Sequence, residues 1–259
     1  MKVIFFLSVA LLAFGACATN QWTPTENMDP SAVLAEARTD RESGRYSIAL
    51  QKHVWYFESA LTRNSSLYGV RLSFALEEWK ELASLYPPAM SRLKQIRDDS
   101  ERSIKLKESG YASFVDFAAL NRVLSTNERT VELFKWLDDE APTLARDSYL
   151  SAQDALVEAG EFELCGKYVE ADAFYESHLR LFRLRQDRAA KTLDQSLASE
   201  RASQIFAYDV AILVAILAKT GRTDEASNIS NNALAYLDQD SLKRQVLEAK
   251  GGNVPVRIY

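Results

Sequence analysis

Glycine and proline are scarce in this chain of 259 residues, at nine and six, roughly half of average usage. Sheets need frequent turns, and both residues punctuate chains, so their shortage favours long helices with few connections. Cysteine is scarcer still. Cys17 and Cys165 are the only two, which excludes a disulfide framework; at this length a core can hold itself together without disulfides or metals. Two histidines, His53 and His178, lie far apart with no second His or Cys at ligand spacing, so no metal site is expected. The net charge of −5 lacks the basic footprint of a nucleic-acid binder. Phosphate-binding loops, dinucleotide fingerprints, zinc-protease and serine-hydrolase motifs are all missing. The chain therefore gives no catalytic residue and no cofactor to expect.

The N-terminus does carry a signal. Met1-Lys2 forms a minimal positive segment, and positions 3–14 (VIFFLSVALLAF) form an almost wholly apolar run, followed by Gly15 and Ala16. The run has the length of a signal-peptide core and is short for a permanent membrane span. Two cleavage readings stand. Ala16-Cys17-Ala18 fits the small-x-small rule and would release a chain beginning at Thr19. Alternatively, Phe14-Gly15-Ala16-Cys17 resembles a bacterial lipoprotein box, which implies lipidation of Cys17 and, with Ala18 next, sorting to the outer membrane. Residues 1–17 are thus expected to be a leader and 18–29 (polar, with TNQWTPTENMD) a flexible tether. No later segment reads as an apolar run long enough to cross a membrane. If Cys17 is lipidated or removed, Cys165 has no partner, and its setting in Phe162-Glu163-Leu164-Cys165 suggests a small buried hydrophobe.

From Pro30 to position 250 apolar residues recur at three- and four-residue spacing, which predicts an all-α domain of about ten helices. One helix is expected over 67–86, closed by Pro87-Pro88. A charged helix is expected over 89–109, a long basic one over 171–197, and a last hairpin over 200–220 and 222–237. Gly251-Gly252 ends the final helix and leaves 251–259 as a tail.

Several hairpin turns share a pattern. At the C-terminal end Val210, Leu213, Val214 and Leu217 line one helix, Gly221-Arg222-Thr223 turns, and Ala226, Ala233 and Leu234 line the next. Gly44-Arg45-Tyr46, Ser125-Thr126 and Gly160-Glu161-Phe162 sit at comparable places, with Ser125 standing where glycine is usual. This resembles a degenerate tetratricopeptide repeat, in the manner of exported bacterial proteins of that kind, with Ser230 in place of a large apolar residue. The resemblance implies stacked antiparallel hairpins, an α-solenoid, and a scaffold more than an activity. A non-repeating bundle is the alternative.

Binding residues can be sought among the aromatics. Trp55, Tyr56 and Phe57 are consecutive, so they point around more than half of a helix, and Tyr68, Phe74, Trp79 and Tyr86 follow closely. Burial between flanking helices accounts for most of them. A concave groove, if present, is expected near Tyr56, Arg71, Trp79 and Lys80, since aromatic and arginine side chains anchor partners. Acidic pairs at Glu77-Glu78 and Asp138-Asp139-Glu140 read as solvated faces. The basic run Arg180, Arg183, Arg185, Arg188 and Lys191 is spaced for intrahelical ion pairs, with Glu176 before Arg180 and Asp187 between Arg183 and Lys191.

The leading expectation is a cell-envelope scaffold that binds a protein or peptide, held to the membrane only by lipid at Cys17 or soluble in the periplasm. Alternatives are a helical-toroid hydrolase acting on envelope polysaccharide, or a small-molecule carrier. Mass spectrometry of the purified mature protein separates the two cleavage readings. An acyl-modified Cys17 is expected for the tether, and an unmodified Thr19 N-terminus eliminates it.

Overall fold

The computed structural model describes residues 21–256, so the leader and Cys17 lie outside the described residues, as do 257–259. Among the described residues there are thirteen α-helices, one 3-10 turn and no strand. The chain divides into two compact units, residues 1–95 and 96–259.

The first unit begins with α1, Pro30–Glu42, and α2, Tyr46–Arg63. Asp29 caps α1 by accepting from the Ser31 and Ala32 amides, and Pro30 takes the first turn, where a missing N–H costs nothing. Lys52 of α2 reaches back to Glu36 and Asp40 of α1 at 2.7 Å each. The helix expected over 67–86 is broken. A 3-10 turn at Ser65–Leu67 leads into the four-residue α3, Tyr68–Arg71, and a kink at Leu72-Ser73 precedes α4, Phe74–Leu85. The Ser73 hydroxyl bonds the Gly69 carbonyl at 2.7 Å, giving the backbone an alternative to continuing the helix. Pro87 and Pro88 then open α5, Pro87–Lys105, in place of merely closing the helix before it.

The second unit starts within α5, at Ile96, and continues with α6 Tyr111–Leu124, α7 Asn127–Glu140, α8 Pro142–Glu158 and α9 Phe162–Tyr168. After them come α10 Ala171–Ala189, α11 Gln195–Lys219, α12 Thr223–Leu234 and α13 Asp240–Ala249. Here the basic helix expected to reach 197 ends at Ala189, and the next begins at Gln195 because Asp194 caps it through the Leu197 amide. The break within 67–86 adds a helix to those expected.

By length and apolarity α11 could span a bilayer. Yet every residue from Val210 to Leu217 is buried by protein, and α9, α10, α12 and α13 all pack on this helix. A helix apolar all round belongs in a core. Phe114, Phe134, Tyr149 and Tyr168 continue that core, with ring centroids 5.3–6.2 Å apart. Cys165 sits in it fully buried, its thiol pushed by desolvation up to about 11.

One turn geometry recurs in both units. Gly44, Ser125, Gly160 and Gly221 all have φ between 57° and 77°. The amide after each reaches back across the turn: Arg45 to the Asp40 carbonyl, Thr126 to Asn121, Glu161 to Leu156 and Arg222 to Leu217, all at 2.8–2.9 Å. These are Schellman closures, which satisfy carbonyls that a helix end leaves without partners. Ser125 adopts the left-handed region without the freedom of glycine, and Asn121 supports it: its side chain accepts from the Thr126 hydroxyl at 2.9 Å and donates to Thr130 at 3.1 Å. Arg222 adds a tie at the last turn, donating to the Val169 carbonyl at 2.9 Å while pairing with Glu225.

Relief of the Ser125 backbone strain is measurable. Ser125→Gly is expected to raise stability in urea by about 0.5–1 kcal/mol, and Gly160→Ala to lower it by about 1 kcal/mol or more. Equal and small effects at the two positions would contradict the strain assigned to Ser125.

Candidate functional site

An open recess in the first unit is built by two helices that present the same pattern. Leu50, Gln51, Val54, Trp55 and Glu58 form one stripe of α2, at i, i+1, i+4, i+5 and i+8. Pro87, Pro88, Ser91, Arg92 and Gln95 form the matching stripe of α5. Residues at these offsets share a helix face, so the two stripes line a common groove of about 800 Å³. Trp22 and Pro24 close one end.

Trp22 is fastened there. Its amide donates to Gln51 Oε1 at 3.0 Å, its ring meets Trp55 edge-on at 5.9 Å, and Lys52 Nζ lies 5.7 Å from its centroid. The segment expected to be a tether through 29 is thus held against α2 at Trp22. The Arg63 guanidinium lies 4.8 Å from the Trp55 ring centroid. Glu58, the one carboxylate in the lining, is tied to Arg92 at 3.0 Å on the rim. Apolar walls with a few fixed polar groups suit binding, and the lining contains no His or Cys.

The four residues expected to line a groove sit elsewhere. Tyr56 and Trp79 are each 1% exposed, inside the first unit. Arg71 is buried, donating through Nε to the Phe57 carbonyl at 2.6 Å with its guanidinium 3.8 Å over the Phe57 ring. Lys80 is half-buried. None of the four lines the open groove. The three consecutive aromatics diverge as helix geometry requires: Trp55 reaches the groove, while Tyr56 and Phe57 turn inward. What the sequence hid was Trp22, which looked like part of a polar tether, and the role of Pro87-Pro88 as a wall.

His53 also belongs to the interior. It is 2% exposed and its ring stacks on Trp79 at 5.8 Å. Burial, aided by Arg41, pulls its pKa down to about 4. His178 is largely enclosed: Asp209 lies 3.6 Å away, but burial and Arg185 together bring it to about 4 as well.

Acidic residues act as ties between helices. Glu78 pairs with Arg38, and Asp138 with Lys167 and the Tyr168 hydroxyl. Burial pushes Asp98, Glu101 and Asp138 upward, yet their arginine, lysine and tyrosine partners outweigh it and hold each below the usual carboxylate range. Glu225 is likewise held low, by Arg222. A glycosidase acid needs the opposite displacement. The ion pairs expected along α10 do not form among the described residues: Arg180, Arg188 and Lys191 face solvent, Arg183 bonds the Tyr236 hydroxyl at 3.1 Å, and Arg185 lies 3.9 Å from Asp209.

No protein family, curated protein or solved structure matches the chain.

The buried imidazole sets a pH dependence. An unfolded His53 takes up a proton below about pH 6.5, whereas the folded one stays neutral down to about 4. The unfolded state therefore binds more protons within that window, and stability falls as pH drops through it, by about 3 kcal/mol in all. His53→Phe is expected to lose less stability than wild type between pH 7 and 4.5 in urea titrations. A difference between the two proteins that does not change with pH would rule His53 out as the group responsible.

Proposed function

We propose that this protein is a non-enzymatic adaptor of the bacterial cell envelope, which binds an extended apolar peptide segment of a partner protein in the Trp22–Trp55 groove. The observation that carries the reading is the groove itself: two tryptophans, three prolines, Leu50 and Val54 surround an open space with a polar rim at Gln51, Glu58, Arg92 and Gln95. Aromatic and proline side chains offer large, rigid contact area at low entropic cost, which is how grooves of this kind bind extended chains. The recurrent Schellman turns support a tetratricopeptide-like hairpin architecture, which would supply the framework. No cofactor and no nucleic acid enter the reading.

The leader supports an envelope location, with Cys17 as the lipid anchor or Thr19 as a free periplasmic N-terminus. If Cys17 is the anchor, the docking of Trp22 has a geometric consequence. Five residues of extended chain span at most about 17 Å, so the groove would open close to the membrane surface, where partner segments leave the bilayer. The hydrolase alternative loses ground because the displaced carboxylates are all held low.

Binding of proline- and leucine-containing extended peptides to the purified protein, followed by calorimetry across a peptide array, tests the proposal. Trp55→Ala is expected to weaken the best peptide by roughly 30-fold, as an aromatic anchor does, with helix content unchanged by circular dichroism. An array without a binder, or a binder indifferent to Trp55→Ala, would remove the groove from consideration. Tight binding of a small apolar molecule that Trp55→Ala abolishes would favour the carrier alternative.

A further inference from the structure

The second unit carries a separate surface at the tip of the α10–α11 hairpin. Residues 180–201 contain six basic and three acidic side chains, inside a chain that is acidic overall. The spacing of Glu176, Arg180, Arg183, Asp187 and Lys191 would permit mutual neutralisation, yet Arg180, Arg188 and Lys191 make no ion pair among the described residues. Their charges remain directed at solvent.

Leucines share this surface. Leu181 and Leu184 lie on the same α10 stripe as Arg180 and Arg188, at 40% and 43% exposure. Leu193, in the connection, is fully exposed, and Leu197 on the first turn of α11 is 61% exposed. The opposite face of α10, with Tyr175, Leu179, Phe182 and Ala189, is buried. The outward leucines are therefore not spilling from a loose core. Packing on the inner side is tight: the Phe182 and Phe206 rings stack at 4.7 Å, and Gln186 bonds Ser199 at 2.7 Å and Ser203 at 3.3 Å. The hairpin presents its tip in a fixed arrangement.

We propose that this tip docks on an anionic phospholipid surface. Charge complementarity selects the occupant, since cations without protein partners are available to phosphate headgroups. Leucines at the same level can enter the acyl boundary, the combination that interfacial segments use. A protein partner would demand something further, a recess or a complementary apolar anchor site. The hollow at the tip is instead lined by small and polar side chains, Gln186, Gln195, Ser196, Ser199 and two alanines, and offers no large apolar anchor site. Exposed leucines among cations need only a deformable partner. The proposal concerns the second unit alone and does not depend on the peptide groove.

The test uses the full chain with Cys17→Ala and Leu193→Cys, labelled with an environment-sensitive fluorophore; Cys165 is buried and escapes labelling. Vesicles rich in phosphatidylglycerol, or made of phosphatidylcholine alone, carry brominated acyl chains as quenchers. Quenching at position 193 is expected in the anionic vesicles and not in the neutral ones, with loss in high salt. Arg180→Gln, Arg188→Gln and Lys191→Gln together are expected to weaken it by roughly tenfold or more. A label at Asp224→Cys, exposed on α12, reports vesicle attachment through other parts of the chain. Equal quenching at 193 and 224, equal quenching in both lipids, or indifference to the triple substitution would overturn the proposal. So would protection of the tip by added protein but by neither lipid, which would assign the surface to a protein partner.

Discussion

Four helix-to-helix turns, in both units, hang on a backbone residue at positive φ. At Gly44, Ser125, Gly160 and Gly221 the chain reverses in a single step, and the next amide reaches back to a carbonyl one and a half turns earlier. A helix that ends otherwise leaves its last carbonyls to water or to side chains. Closing the carbonyls within the turn lets the second helix start at once, so partners such as α11 and α12 lie alongside each other with little chain between them. Small residues at the contacts, Ala37 against α2 and Ala226 and Ala233 against α11, follow from that short return, because the helices have no slack with which to separate.

Such turns were legible from the sequence because their geometry demands specific chemistry. Glycine followed by a polar residue and a new apolar run marks three of the four, and Ser125 could be placed by its neighbours. Helix ends fixed by side chains were harder. Asp194 falls inside the expected 171–197 helix, and in sequence a cap and a surface carboxylate look alike until the helix start is known. The Leu72-Ser73 break was hidden for a related reason: a serine that bonds its own preceding carbonyl leaves no mark in hydrophobic periodicity.

The groove was less legible than the fold. Periodicity showed that Trp55, Tyr56 and Phe57 could not all face one neighbour, but it could not say which of them would face outward. That choice depends on what packs against the remaining arc of α2, and the answer was a residue from outside the helical region, Trp22. The exposed cations of α10 show the same limit from another side. Spacing permits an ion pair, whereas formation depends on whether both side chains gain more from each other than from water, and on an exposed face the gain is small.

Cys165 has a further use that follows from its place in the core. Its thiol is fully buried and its proton tightly held, so an alkylating reagent can reach it only when α9 lifts away from α8 and α11. Reaction then proceeds at a rate set by how often that opening occurs. The chain thus carries a built-in clock for local breathing of its second unit, readable from the mass that alkylation adds.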